Sequence, residues 1–507
     1  MKNSLTDRIL KQAQGIAMKG HGRDFVYCIF INFGEAKKEE IADWIRFKQK
    51  ERITSTYEQI KQVDNKQKQS DALICCTYFS KDGFNKLGYG HNDFTGFDEE
   101  QPRYVPPRPN TKKTLACYPE DRCFWTGMAN ISKISDLNDI PQKDWSPEYK
   151  THALDALVIV ACDNLDKIQE MVRKIEQELN EIGGFINHID FGQRSYYEKK
   201  YNGKRIKIDV EPFGFRDGIT TIPFFYKENK TRFKKNRPWQ LVLDEHYGTY
   251  LVFRRLKQNV PLFHQAIEEL KIALGCNRAF AEAQVMGRFR NGVPLSISST
   301  PYLNQMEREK VKRFNKNSFN SDYLAEHNFI EKSIYELEDK EGLKCPFHAH
   351  IRKSNPRITT SIENSEEIKI KYDTSNIPKA IVRRSVTYDY PSSVCNDKKL
   401  PPNEGLLFMC YQKNLKRQFV DTQKYWCNDN PSFYYKKEFP VEPTGIDPIA
   451  GQASENQLLQ KQKWNSVHNC GKEREKDFRF PQVVEFQGGG FFYGPPIAFF
   501  DKPLIDT

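Results

Sequence analysis

The order of apolar runs and amphipathic stretches in the first part of the chain limits its fold more than any other feature. DFVYCIFINFG (24–34) is rich in β-branched and aromatic residues and predicts a strand. KKEEIADWIRFKQKERITSTYEQIK (37–61) predicts a helix, with Ile41, Trp44, Ile45 and Phe47 toward one side at helical spacing. DALICCTYFS (71–80) and HALDALVIVAC (152–162) read as two further strands. DKIQEMVRKIEQELNEIG (166–183) is an amphipathic helix stopped by Gly183, since glycine accepts the left-handed conformation that ends a helix. Strand, helix, strand, strand, helix, strand is the ferredoxin-like order. The second half repeats it loosely: TYLVFRRL (249–256) predicts a strand, VPLFHQAIEELKIALG (260–275) a helix, GLLFMCYQ (405–412) a strand and KRQFVDTQKYW (416–426) a helix. The polar stretches 300–340 and 361–379 read as insertions or long connections, and QPRYVPPRPNT (101–111) as a Pro-rich loop.

Composition closes off several alternatives. At 507 residues, 38% hydrophobic and 29% charged, the chain can bury a large core, and its 13% aromatic content is more than a disordered chain carries. No apolar run approaches the roughly 18 residues of a membrane span. The amino terminus lacks an apolar segment with a small-residue cleavage site, so a cytoplasmic address is expected. The 12 cysteines are scattered, with Cys75 and Cys76 adjacent, and read as reduced, mostly buried thiols. Only Cys117 and Cys123 are placed for a local bridge. A net charge of +11 raises the question of a nucleic-acid partner, but the basic residues interleave with 67 acidic ones and no nucleic-acid motif accompanies them. The densest cluster, KENKTRFKKNRP (227–238), reads as a solvated loop. The overall positive field would draw anionic aromatic substrates.

Three segments carry the chemistry: CPFHAHIRKSNPR (345–357), GFRDG (214–218) and RRSVTY (383–388). Taken singly each has a plain structural reading. Gly-x-x-Asp-Gly is a common turn, an Arg-Arg pair beside β-branched residues is a solvated strand edge, and Cys345, His348 and His350 have part of a zinc-site spacing. No second pair of ligands with finger-like spacing follows, which leaves the zinc reading incomplete.

In order along the chain stand QGIAMKGHGR (14–23), FSKDGFNKLG (79–88), GFRDG, GTYLVFRRLKQ (248–258), MGRFRNGVPL (286–295), the histidine segment, RRSVTY, GLLFMCYQ, TGIDPIAGQ (444–452) and GGGFFYGPP (488–496). This series resembles the dye-decolourising peroxidases. The resemblance implies an α+β fold of two ferredoxin-like units whose antiparallel sheets pack together, barrel-like, with haem b in the carboxyl-terminal unit. Residues 1–238 are taken as the first unit, carrying GFRDG, and 239–507 as the second. It further implies His350 of Ala-His-Ile-Arg as the ligand of the haem iron, Asp217 as the distal acid-base residue, Arg383 as the distal arginine, and Leu406 and Phe408 as apolar lining of the distal pocket. His348 is read as a packing residue, although a strand would put it on the same face as His350, and Arg384 is placed outside the pocket. The acceptor for the other ring nitrogen of the ligand histidine is Asp447 or, failing that, Asp421; spacing does not choose between them. Tyr388-Asp389 stands where the family has Tyr-Gly.

The implied activity is reduction of hydrogen peroxide coupled to one-electron oxidation of aromatic donors such as dyes and phenols. An aspartate side chain, which as a residue type titrates near ~3.9, can act as a base at acidic pH where imidazole is already protonated. Activity on the acid side is therefore expected. No nucleic acid and no membrane enter this reading. Trp239, Trp426 and Trp464 are surface-oxidation candidates only in the sense that all tryptophans are, and none is assigned. Two rivals remain: a haem carrier that keeps the fold without the catalysis, and a basic nucleic-acid-binding protein.

Overall fold

The computed structural model describes residues 5–64, 71–89, 119, 121–135, 137–201, 203–219, 242–244, 246–316, 339, 341–354, 381–388, 404–428, 445–454, 460–469 and 471–504. The Pro-rich loop 101–111, the basic loop 227–238, the stretch 361–379, most of 300–340, Cys117, Trp239 and Asp389 lie outside them.

The first unit consists of β1 (Phe25–Asn32), β2 (Ile74–Phe79), β3 (Ala156–Cys162) and β4 (Phe185–Gln193). Every residue of β2 and β3 is buried, which is why neither run alternates and why both are apolar but for Thr77. Helices Lys38–Trp44 and Thr56–Asp64 connect β1 to β2, and Leu165–Glu181 connects β3 to β4. The strands lie in the order β4-β1-β3-β2, all antiparallel. A hairpin, β5 (Tyr196–Tyr201) and β6 (Lys204–Asp209), leads into GFRDG.

The second unit holds β7 (Thr249–Gln258), β8 (Val382–Arg383), β9 (Val386–Tyr388), β10 (Gly405–Gln412), a small hairpin β11 (Gln462–Asn465) and β12 (Glu475–Phe478), and β13 (Val484–Gly494). Its order is β13-β7-β10-β8, with β9 also on β10. Both units thus place their fourth, first, third and second strands side by side, the ferredoxin-like arrangement expected from the order of elements.

One departure concerns the first helical region. It is not a single helix: Lys38–Trp44 runs into a π-helical turn, Ile45–Gln49, and the next helix begins only at Thr56. Ile41, Trp44 and Ile45 are buried as expected, but Phe47 is 57% exposed with Arg46 over its ring. The wider turn carries Phe47 off the apolar face.

The two sheets join into one of nine strands at a narrow seam, where β2 and β13 pair only at Phe79 and Tyr493. Gln14 sutures it. Its amide nitrogen donates to the carbonyls of Thr77 (2.8 Å) and Pro495 (2.9 Å), and its amide oxygen accepts from Thr77 N (2.8 Å). At the opposite end Thr387 donates its hydroxyl to the Gln193 carbonyl, and Gly192 leaves room for Val386, whose Cγ1 would lie 2.4 Å from any added Cβ. β4 and β9 are thereby brought together and the sheet curls on itself. Phe30 of β1 meets Phe253 of β7 edge-on at 5.0 Å, and the hydroxyls of Tyr78 (β2) and Tyr411 (β10) lie 3.2 Å apart.

A charged bridge also ties the units. Asp190 of β4 accepts from Arg255 of β7 at 3.2 Å and from the Tyr149 hydroxyl. Burial pushes the Asp190 carboxyl up to about 6, against the pull of Arg255 and the Tyr149 hydrogen bond. Because the folded value lies above the ordinary one, the folded chain holds a proton at Asp190 between about pH 6 and pH 4 that the unfolded chain has released. Stability from this group therefore rises as pH falls through that window, by on the order of 3 kcal/mol in full. Urea midpoints of the native protein and Asp190→Asn between pH 7 and pH 4 should converge or diverge with that slope; parallel curves would remove Asp190 from the account.

Candidate active site

GFRDG is held by a half-buried acidic residue. Glu211 accepts from the backbone N–H groups of Phe213 (3.0 Å) and Phe215 (2.9 Å) and from the Gln258 side chain (3.0 Å). Burial pushes its carboxyl up. Gly214 sits at φ 93°, a conformation glycine takes without strain. Phe213 stacks on Phe263 at 4.2 Å, within the helix Val260–Leu274, and Phe215 meets the same ring edge-on. The loop that follows the first sheet is therefore packed onto the second unit. Asp217 N donates to the Asp209 carbonyl (2.8 Å), and Asp217 Oδ1 accepts from Gly218 N (2.6 Å).

Asp217 Oδ1 also accepts from Arg383 Nη2, across 166 positions of sequence. Arg383 lies on β8 opposite Cys410 of β10. Paired residues of antiparallel strands share a face, so Arg383, Cys410, Phe408 and Leu406 point to one side. Leu406 and Phe408 are half-buried, whereas Leu407 and Met409, on the other face, are fully buried. Phe408 neighbours Phe419 (6.4 Å) in the π-helical turn Lys416–Val420. Arg384 turns away, donating to the carbonyls of Ile16 (3.0 Å) and Met18 (3.1 Å). Burial lowers its guanidinium to about 10, and it anchors the loop after Gln14.

The histidine segment is not a strand. His350 opens a short helix, His350–Ser354, which packs against the turn Thr422–Cys427 that follows Phe419. His350 is thus on the same side of the second sheet as Arg383. Its Nδ1 lies 2.8 Å from Asp447 Oδ2 and 3.1 Å from Oδ1. Asp447 Oδ1 further accepts from Ile449 N (2.8 Å) and Ala450 N (3.0 Å). Burial pushes this carboxyl up, but the His350 imidazole and the two amides together hold it below the ordinary carboxylate value. Asp421, the alternative acceptor, pairs instead with Lys416 at 3.6 Å. His348 is buried against Trp464, ring centres 4.3 Å apart.

With Nδ1 committed to Asp447, His350 keeps Nε2 without a hydrogen bond among the described residues, and its side chain is 25% exposed. Among those residues no group of three His, Cys, Asp or Glu side chains is placed to hold a metal ion, so the Cys345–His348–His350 zinc site does not form. The donor set suits a group bound through one imidazole. Cys123 is a buried free thiol.

Two features were missed from sequence. One is Glu211, whose signal was an acid directly before the turn. The other is Arg254, across from Phe408, which forms a two-point pair with buried Asp139, and its signal was a charge inside an apolar strand.

No family model matches the chain. It is 34% identical over 264 residues to the multifunctional dye peroxidase DyP2 of an Amycolatopsis species, covering 50% of this chain and 48% of that protein. It is 26% identical over 350 residues to peroxidase 2 of Mycetinis scorodonius, covering 65% and 61%. The chain thus spans about half to three fifths of these relatives' lengths. The crystal structure of an Anabaena DyP-type peroxidase superposes with a TM-score of 0.70 at 26% identity, over 98% of this chain and 94% of that one. In sequence and in fold the chain is similar to dye-decolourising peroxidases. The paired ferredoxin-like sheets are part of this likeness. Among the described residues, no helix is long and apolar enough to cross a membrane.

Proposed function

We propose that the chain is a haem peroxidase that reduces hydrogen peroxide and oxidises aromatic donors such as dyes and phenols in one-electron steps. The contact between Asp217 and Arg383 carries this reading, because storing or delivering haem requires neither residue. Haem b, bound through His350 Nε2, would supply an iron at which the peroxide O–O bond is cleaved.

Asp447 keeps a proton on His350 Nδ1, which fixes the tautomer and raises the basicity of Nε2. On the other side Asp217 Oδ1 is engaged by Arg383 and Gly218 N, so Oδ2 is the atom that takes a proton from peroxide and returns it to the departing oxygen. Arg383 orients peroxide and stabilises the negative charge that develops. Leu406 and Phe408 restrict the space beside it to small molecules and exclude water. Larger donors would then be oxidised outside this space, and the chain's net charge of +11 favours anionic ones. The free thiols among the described cysteines favour a reducing, cytoplasmic compartment. We take 1–238 and 239–507 as the two units, the second holding haem.

The test is turnover. Protein produced with haem should bleach an anionic dye and oxidise a neutral phenol only when peroxide is present, faster at acidic than at neutral pH. Full haem content without peroxide-dependent turnover of either donor would favour the carrier.

A further inference from the structure

MGRFRNGVPL (286–295) touches no reacting atom in this reading, yet it lies between the two halves of the site. Gly287 ends the helix Arg278–Met286 at φ 81°, and a tight turn follows: Gly292 N donates to the Phe289 carbonyl, Phe289 N to Val293, and Leu295 N to Gly287.

One flank of this turn bears on GFRDG. The Arg290 carbonyl accepts from Arg216 N at 2.9 Å, directly before Asp217. A Cβ on Gly214 would stand 2.4 Å from Arg290 Nη1, and one on Gly292 2.4 Å from Ile219 Cδ1, so both surfaces meet through glycines. Arg290 is itself locked by a fork onto Glu282, with Nε–Oε2 and Nη2–Oε1 both 2.8 Å and the Glu282 side chain 3% exposed. The other flank bears on the histidine segment. A Cβ on Gly287 would lie 2.5 Å from Ile351 Cγ1. Phe289, Val293 and Leu295 share a core cluster with Cys345 and Ala349. Ala349 and Ile351 flank His350.

We propose that the turn at 287–295 is a spacer that sets the distance between Asp217 and His350, with Arg290 as the positioning residue that grips the distal loop. The roles of those two residues rest on the peroxidase reading; the geometry does not.

Two separate contacts would respond independently, whereas a shared spacer passes a disturbance from one flank to the other. Amide hydrogen exchange of the purified full-length protein distinguishes these cases. Arg290→Gln should speed exchange at 215–218 by about tenfold. Gly287→Ala, on the proximal flank, should speed it at 350–354 and at 215–218 as well. Exchange at 215–218 unchanged in either variant overturns the proposal. If Gly287→Ala does not fold, Ile351→Ala, which withdraws the group that Gly287 rests on, carries the same expectation. Arg290→Gln should also slow the reaction with peroxide about tenfold, with no further loss when combined with Asp217→Asn. Independent, multiplicative losses would place Arg290 elsewhere in the mechanism and overturn its assignment. Wild-type peroxide reactivity in both Asp217→Asn and Arg383→Leu would defeat the peroxidase reading instead, and the exchange data would still decide the spacer.

Discussion

Produced with haem supplied, the native protein is expected to show a Soret absorption, and His350→Ala to lose nearly all of it. On the proposed reading His350 would hold the haem iron through Nε2 while Nδ1 is held by Asp447, and its removal would leave apolar packing alone to retain the group. His348→Ala should keep the absorption, since that ring packs on Trp464. The reverse pattern would move the ligand two positions. Asp447→Asn should retain haem but change its spectrum, because a neutral amide no longer draws on the Nδ1 proton.

The second large effect is kinetic. Asp217→Asn keeps the side-chain shape and removes its basicity; Arg383→Leu removes the distal charge. Both should bind haem. Stopped-flow mixing with peroxide at acidic pH should show losses of about 10²–10⁴ for the general acid-base group and about 10²–10³ for the electrostatic donor. The two residues touch, so each substitution also disturbs the other, and the losses should not multiply in the double variant. Native rates in both, with haem retained, would leave the pair without a catalytic role.

Much of this arrangement could be read from sequence because local chemistry and global fold agree. The runs that became β2 and β3 are apolar at every position but Thr77, and Gly183 marks the end of its helix at φ 81°. The strand order was not legible from periodicity, which records which face is buried and not which strand is adjacent. Phe47 defeated the helical pattern because a π-turn shifts the register by a residue. The choice of Asp447 over Asp421 depends on a contact spanning 97 positions. Gln14 and MGRFRNGVPL were recognisable as segments, but their work is done against distant backbone: a seam in one case and a pair of glycine-lined surfaces in the other.

The suture at Gln14 bears on how this protein meets other chains. An open sheet offers its outer strands to any passing extended segment, and recruitment of such segments is how aggregates and strand-exchanged dimers begin. Here each unit turns its second and fourth strands toward the other's fourth and second, the self-complementary exchange of a two-fold dimer carried out inside one polypeptide. One side chain, Gln14, occupies donor and acceptor positions along β2 that a neighbouring strand would otherwise claim. Strand addition by a partner is therefore disfavoured at this seam.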